Sequence, residues 1–295
     1  MSVRKNENRI GISETGAGDA TAAVAAAADQ QQSNNKGTLN FVCPTEMVEL
    51  PSQGRFYSES HPLYGQEHIE IKHMTAREED LLTSRSLLKK GTALDRLLDS
   101  VIMDKRIKSE SLLIGDKNAV LIATRISGYG NEYTTTVGCP SCGEQSTYEF
   151  DLEEQNMTHG GVEAVEEDAG VSDTNGDFHI VLPVTGWDVV VTPMTGREEK
   201  ALARSIEGRK KKKMPEDMLT TQLQLFIDSI NGTDDRATIN KAVFMMPAKD
   251  SRHLRNIYQE LMPNVDLTQH FTCEECDYSG QMEVPFTTDF FWPKR

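Results

Sequence analysis

The residues in this chain whose type and spacing could do chemistry are its cysteines. Cys139 and Cys142 form one Cys-x-x-Cys pair, and Cys273 and Cys276 form a second, 134 positions further on. One pair offers two thiolates, whereas a structural zinc takes four ligands in a tetrahedron. Bringing the pairs together around one ion satisfies it and leaves no open position for water or substrate, so the expected cofactor is a structural zinc. YTTTV and STYEFDL flank the first pair; LTQHF and QMEVPF flank the second. These β-rich flanks place each pair on the turn of a hairpin, a zinc-knuckle geometry that aims backbone N–H groups at sulfur and favours the thiolate. Two local disulfides or free thiols would use the same residues. A thioredoxin-like redox site would set the pair at a helix N-terminus after a parallel strand, and neither context is present. Cys43 lacks a partner and reads as a small thiol. His270, three residues before Cys273, could replace a ligand, but four cysteines make that unnecessary.

A second grouping with catalytic potential is the carboxylate pairs Glu78/Glu79 and Glu198/Glu199. Neighbours on a helix diverge by about 100° and do not converge on one substrate. Thr75-Ala-Arg-Glu78 and Thr195-Gly-Arg-Glu198 fit the capping box instead, in which the Glu reaches back to the cap residue. There is no P-loop, no G-x-S-x-G, no H-E-x-x-H and no glycine fingerprint after a strand. The expectation is a protein that is not an enzyme.

The elements that must position the cysteines read as an internal duplication. LPSQG at 50–54 answers LPVTG at 182–186, and IEIKHMTAREED at 69–80 answers DVVVTPMTGREEK at 188–200. LDRLLDSVI at 94–102 resembles LQLFIDSIN at 223–231, and a cysteine pair closes each copy. Two units are too few for a solenoid, so a pseudo-dimer is expected. Each copy reads as a β-prone lead-in, three helices and a cysteine hairpin. Leu94, Leu97, Leu98, Val101 and Ile102 form one amphipathic stripe; Leu219, Leu223, Phe226, Ile227 and Ile230 form its counterpart. Ala119, Ile122 and Ile126 mark a further helix, as do Leu254, Ile257, Tyr258 and Leu261, stopped by Pro263. The stripes read as core, with a partner groove as the other use of such a face. The fold class is therefore α+β: a small helical module with an extended lead-in strand and a zinc-knuckle β-hairpin, present twice, the two hairpins forming one zinc ribbon.

Composition sets the boundaries. The 295 residues suggest about two domains. Residues 1–38, rich in Ala, Gln, Asn and Gly, cannot offset ordering entropy by burial and read as a disordered tail. Residues 39–152 are the first repeat and 178–295 the second. The stretch 153–177 carries Glu153, Glu154, Glu163, Glu166, Glu167, Asp168, Asp173 and Asp177, and reads as a flexible acidic linker. No apolar run is long enough for a membrane span, and the N-terminus lacks the apolar core of a secretory signal. A net charge of −15 opposes nucleic-acid binding. The basic run Arg209–Lys213 reads as a solvated loop between helices, or as contact with an acidic partner.

LPSQGRFY (50–57), IEIKHMTAREEDLL (69–82), LLIGDKNAVLIATRISGYGNEY (112–133) and VGCPSCG (137–143) resemble the baseplate hub proteins of T-even-like contractile-tailed phages. The second copy keeps the lead-in, helix start and cysteine hairpin but has Pro247-Ala248-Lys249-Asp250 where the Gly-Asp step would fall. The resemblance implies a structural or assembly protein of the tail baseplate hub. Its partners would be other baseplate and hub proteins, with a ring or trimer as the oligomer that hub symmetry favours. Its location would be the virion tail, or host cytoplasm during assembly. The alternative from another class is a zinc-ribbon regulator acting on nucleic acid or a polymerase, which the acidic charge opposes. Phe286, Phe290, Phe291 and Trp292 place four aromatics near the C-terminus, either folded back over the ribbon or anchoring into a neighbouring subunit.

Overall fold

The computed structural model describes residues 43–165, 170–174, 177–211, 217–285 and 288–291. The expected disordered tail 1–38 lies outside them, as do Lys212, Lys213, Phe286 and Trp292. Among the described residues the chain is mixed α/β, with small antiparallel sheets and eight helices.

Strand β1 (Thr45–Glu49) pairs antiparallel with β2 (His68–Lys72), Val48 standing opposite Ile69. Alternation sends Val48, Ile69 and Ile71 to the buried face. Then come α1 (Ala76–Thr83), the short α2 (Arg85–Lys89) and α3 (Ala93–Val101), after which Ile102 bridges Ile71. A 3-10 turn (Ser109–Ser111) leads to α4 (Ile114–Tyr129) and the hairpin β3 (Glu132–Gly138) and β4 (Gln145–Asp151). The C-terminal half opens with the sheet β6 (Val171–Thr174), β7 (Asp177–Val181), β8 (Asp188–Val191) and β9 (Ile227–Ile230), in that order. Helices α5 (Gly196–Lys211), α6 (Met218–Phe226), α7 (Arg236–Met245) and α8 (Ala248–Leu261) surround it. Strand β10 (Asn264–Asp266) then leads to the hairpin β11 (Thr268–Thr272) and β12 (Ser279–Glu283), and a last 3-10 turn (Thr288–Phe291).

Three sequence expectations change. The stripe expected to continue through Ile227 and Ile230 stops, because α6 ends at Phe226 and 227–230 is β9. β-branched residues favour the strand, and β8 offers a free edge for them. The matching stripe on α3 holds at Leu97, Leu98 and Val101, all fully buried, while Leu94 is exposed. Arg209–Lys211 is not a loop but the last turn of α5, where cations suit the helix dipole. There Arg209 pairs with Asp217, and Lys211 with Glu207 at 2.7 Å. Nor is 153–177 an unpaired linker. Asn156–Thr158 forms β5 against β10, Val171–Thr174 joins the four-stranded sheet, and Val162 and Val165 pack on the second core. These scattered apolar and β-forming residues outweigh the acidic count.

Two apolar clusters result. One gathers α3, α4 and β1–β2 with both cysteine hairpins, including Phe150, Phe271, Val284, Phe290 and Phe291. The other holds β7–β9, α6 and α8, and Phe56 packs against both. The second hairpin thus shares a core with the first half of the chain. Gly115 permits close packing at this boundary: a Cβ there would stand 2.0 Å from the Pro263 carbonyl oxygen.

The helix starts use their Glu residues as the capping motif requires. The Glu78 carboxylate accepts from the Thr75 backbone N–H at 3.0 Å and from the Thr75 hydroxyl at 2.5 Å. Lys72 and Ser100 add donors at 2.7 and 2.6 Å. Burial of this carboxylate opposes ionisation, but the four donors from Lys72, Ser100 and Thr75 outweigh it and hold Glu78 at about 2, below its ordinary 4.5. A depressed folded value stabilises the protein above pH 4.5, and that stability is lost as pH falls towards 2. For a side chain with no exposed surface the shift corresponds to about 3 kcal/mol at neutral pH. Glu78→Gln is therefore expected to destabilise by that order at pH 7, with the gap to the natural protein closing near pH 2. Urea denaturation across pH checks it; a gap independent of pH would contradict the assignment.

Candidate metal centre

Each cysteine pair is presented by a tight turn built in the same way. The Cys139 N–H donates to the Glu144 carbonyl at 2.9 Å, and the Cys273 N–H to the Tyr278 carbonyl at 2.8 Å. Gly143 closes the first turn at φ +77° and Asp277 the second at φ +54°. Both are residues that tolerate the left-handed region, Gly for want of a Cβ and Asp through its short polar side chain.

The hairpins then meet. The Tyr148 hydroxyl donates to the His270 carbonyl at 3.0 Å, and the Tyr148 and Phe271 rings lie 5.1 Å apart, edge to face. The Gln269 amide bonds both the carbonyl and the N–H of Asp151. This contact carries the thiols together. The sulfurs of Cys139, Cys142, Cys273 and Cys276 all lie within 4.8 Å of one another. Sγ of Cys139 is 3.7 Å from Cys276, and Sγ of Cys142 is 3.9 Å from Cys273.

These distances test the fit. A tetrahedral zinc–thiolate site with bonds of about 2.3 Å has sulfur–sulfur edges of about 3.8 Å, whereas a disulfide would need about 2.05 Å. All five cysteines are free thiols. The set is all-thiolate, the chemistry that suits zinc and other thiophilic ions. Cys139 and Cys273 are buried while Cys142 and Cys276 are exposed, so an ion or a chelator can reach the cluster. Backbone N–H groups of Cys142 and Ser141 draw the Cys139 thiol down to about 7. The Glu144 backbone also favours a thiolate at Cys142, yet the crowding of Cys276, Cys139 and Cys273 pushes it up to about 12. Charging one sulfur makes the next harder to charge, and a divalent cation removes that conflict.

Of the other residues singled out from sequence, His270 is outside the cluster, with Nε2 3.0 Å from Ser279 Oγ. The Cys43 thiol donates to the His73 carbonyl at 3.3 Å. Glu79 and Glu199 do not converge with their neighbours on a site. Glu79 meets the Tyr129 hydroxyl at 3.2 Å, and Glu199 binds Lys117 at 2.7 Å. Phe290 and Phe291 fold back into the first core, Phe290 meeting Tyr133 edge to face at 5.2 Å.

Sequence reasoning missed a pair of buried carboxylates. Asp116, on the first turn of α4, accepts from the Ser52 N–H at 2.9 Å, the Ser52 hydroxyl at 2.6 Å and the Tyr57 hydroxyl at 2.7 Å. Asp250, on the first turn of α8, accepts from the Val184 N–H at 2.8 Å and from the Thr185 N–H and hydroxyl at 3.0 and 2.8 Å. Each aspartate pins the proline-glycine lead-in of its half to the helix that runs into the cysteine hairpin. The signal available was that Asp116 and Asp250 share the 134-residue offset of the cysteines.

Fold and site together define a mixed α/β protein whose two β-hairpins assemble a four-cysteine cluster suited to a metal ion. The chain belongs to the family of T4 bacteriophage base plate proteins, whose family model matches residues 45–292. No curated protein and no solved structure gives a significant match. Membership implies a structural role in the base plate of a phage tail, alongside other base plate proteins. Among the described residues no helix is long and apolar enough to cross a membrane.

Proposed function

We propose that this chain is a non-catalytic subunit or assembly factor of the base plate hub, duplicated from one module and stapled by one structural zinc. Cys139, Cys142, Cys273 and Cys276 hold the ion, and other hub proteins are its partners in the virion tail or, during assembly, in the host cytoplasm. The observation that carries this reading is the four-thiol cluster, in which each hairpin supplies two sulfurs at tetrahedral spacing. Four thiolates complete the coordination shell and leave no site for a reacting water. The duplication is supported by features that recur 134 residues apart: the Asp116 and Asp250 pins, the Cys139 and Cys273 turn bonds, and the left-handed Gly143 and Asp277. It is supported also by the lead-in order, since the bridge from Ile71 to Ile102 has a counterpart in the pairing of Val191 with Ile227.

Native mass spectrometry with and without a strong chelator tests the staple. One zinc per chain, lost together with folded structure, is the expected outcome; a metal-free folded chain would overturn it. Quantitative mass spectrometry of purified tails tests the role. Presence at a fixed copy number marks a subunit, and absence from tails that cannot form without the chain marks an assembly factor. A chain both absent and dispensable refutes the hub reading.

A further inference from the structure

A groove runs between the two halves of the chain, with a volume of about 790 Å³. Its floor is apolar and largely buried: Leu113, Met194, Tyr258 and Val265 are each less than 9% exposed. Its rim carries Glu199, Asp266 and Glu283. The groove continues past Thr158 and Gln259, which line both cavities, into a second depression of about 570 Å³ bordered by Glu260. Among the described residues no lysine, arginine or histidine lines either cavity, and of the rim carboxylates Glu199 is already paired with Lys117. Strand β10 borders the groove with all three of its residues; β5 pairs with it, and α4 packs closely against it at Gly115.

We propose that this groove docks an extended, cationic segment of a partner protein, its apolar side chains on the Met194 floor and its lysines or arginines against the acidic rim. Two features select that occupant. The two adjoining depressions suit an extended peptide rather than a compact ligand. The rim charge favours cations and repels phosphates, which sets nucleic acid aside. The proposal is independent of the metal, because no groove residue is a zinc ligand.

The test uses the full metal-loaded chain and a fluorescein-labelled decapeptide of alternating lysine and valine, read by fluorescence anisotropy. A glutamate-valine decapeptide serves as the charge-reversed probe. Glu260→Lys combined with Glu283→Lys changes two exposed groove carboxylates for which the structure shows no hydrogen bond. Glu49→Lys combined with Glu70→Lys makes the same change in net charge on the exposed face of β1–β2, away from the groove. The lysine peptide is expected to bind, the glutamate peptide to fail, and the groove variant to weaken binding by at least about tenfold. The β1–β2 variant should shift it by less than about threefold, through the general field alone. Equal losses in the two variants, or no binding of the lysine peptide at low salt, would overturn the proposal. Zinc content measured on the same samples separates failure here from failure of the metal reading.

Discussion

Serine at both Cys139 and Cys273 is expected to strip the protein of metal and abolish its cooperative unfolding transition. These are the two buried thiols of the cluster, and each supplies one sulfur of a close inter-hairpin contact. The remaining Cys142 and Cys276 are exposed and cannot complete a tetrahedron. A structural zinc contributes on the order of 10–16 kcal/mol in small domains, as much as the whole net stability of a typical protein. What remains between the hairpins includes the contacts of Tyr148 with Phe271 and His270, of Gln269 with Asp151 and of Tyr133 with Pro285. Since both hairpins sit in the first apolar cluster, their separation exposes Phe150, Phe271 and Val284 as well. Elemental analysis and thermal unfolding by circular dichroism read the two consequences together. Cys43→Ser is the matched control, because a hydroxyl can still donate to the His73 carbonyl, and it should change stability by no more than about 1 kcal/mol. A double variant that melts like the natural chain would show that the thiols are not a staple.

What the sequence disclosed follows from the range over which each rule acts. Cysteine pairs on turns, Thr-x-x-Glu helix starts and the α3 stripe are set by neighbours a few residues away, and apart from the exposed Leu94 they stand where spacing put them. Asp116 and Asp250 were opaque because their partners lie 59 to 66 residues distant, and a lone aspartate after a helix start looks like ordinary dipole matching. Under the proposed duplication, the capped end Leu98–Ile102 of α3 answers Leu223–Ile227 of α6, four residues out of step with the block match of 94–102 to 223–231, whose last residues fall in β9. Strand β5 was hidden by composition: its partner β10 comes more than 100 residues later, and long-range pairing leaves no local signature.

Replacing Arg125 by methionine should cost about 3–5 kcal/mol, the range for removing one member of a buried polar network. Arg125 is 1% exposed and, among the described residues, pairs with no carboxylate. Its guanidinium instead serves three backbone carbonyls: Nε to Phe290 at 2.6 Å, Nη1 to Gly130 at 2.5 Å and Nη2 to Glu132 at 3.0 Å. Burial pushes its pKa down, but a guanidinium starts so high that it keeps its charge. These three bonds tie the end of α4, the start of β3 and the C-terminal turn to one point. Methionine matches the length and leaves the carbonyls unanswered; lysine restores charge but only a point donor, so Arg125→Lys should recover less than half of the loss. The turn carrying Phe290 should then exchange its amide hydrogens faster in both variants. A chain truncated before Thr288 removes one of the three acceptors, so Arg125→Met should cost less there than in the full chain. Equal costs in the two backgrounds would mean that the guanidinium does not hold the C-terminal turn. The expected coupling explains why Phe290 and Phe291 are buried: they complete the core beside the cysteine hairpins and are not free to anchor a neighbouring subunit.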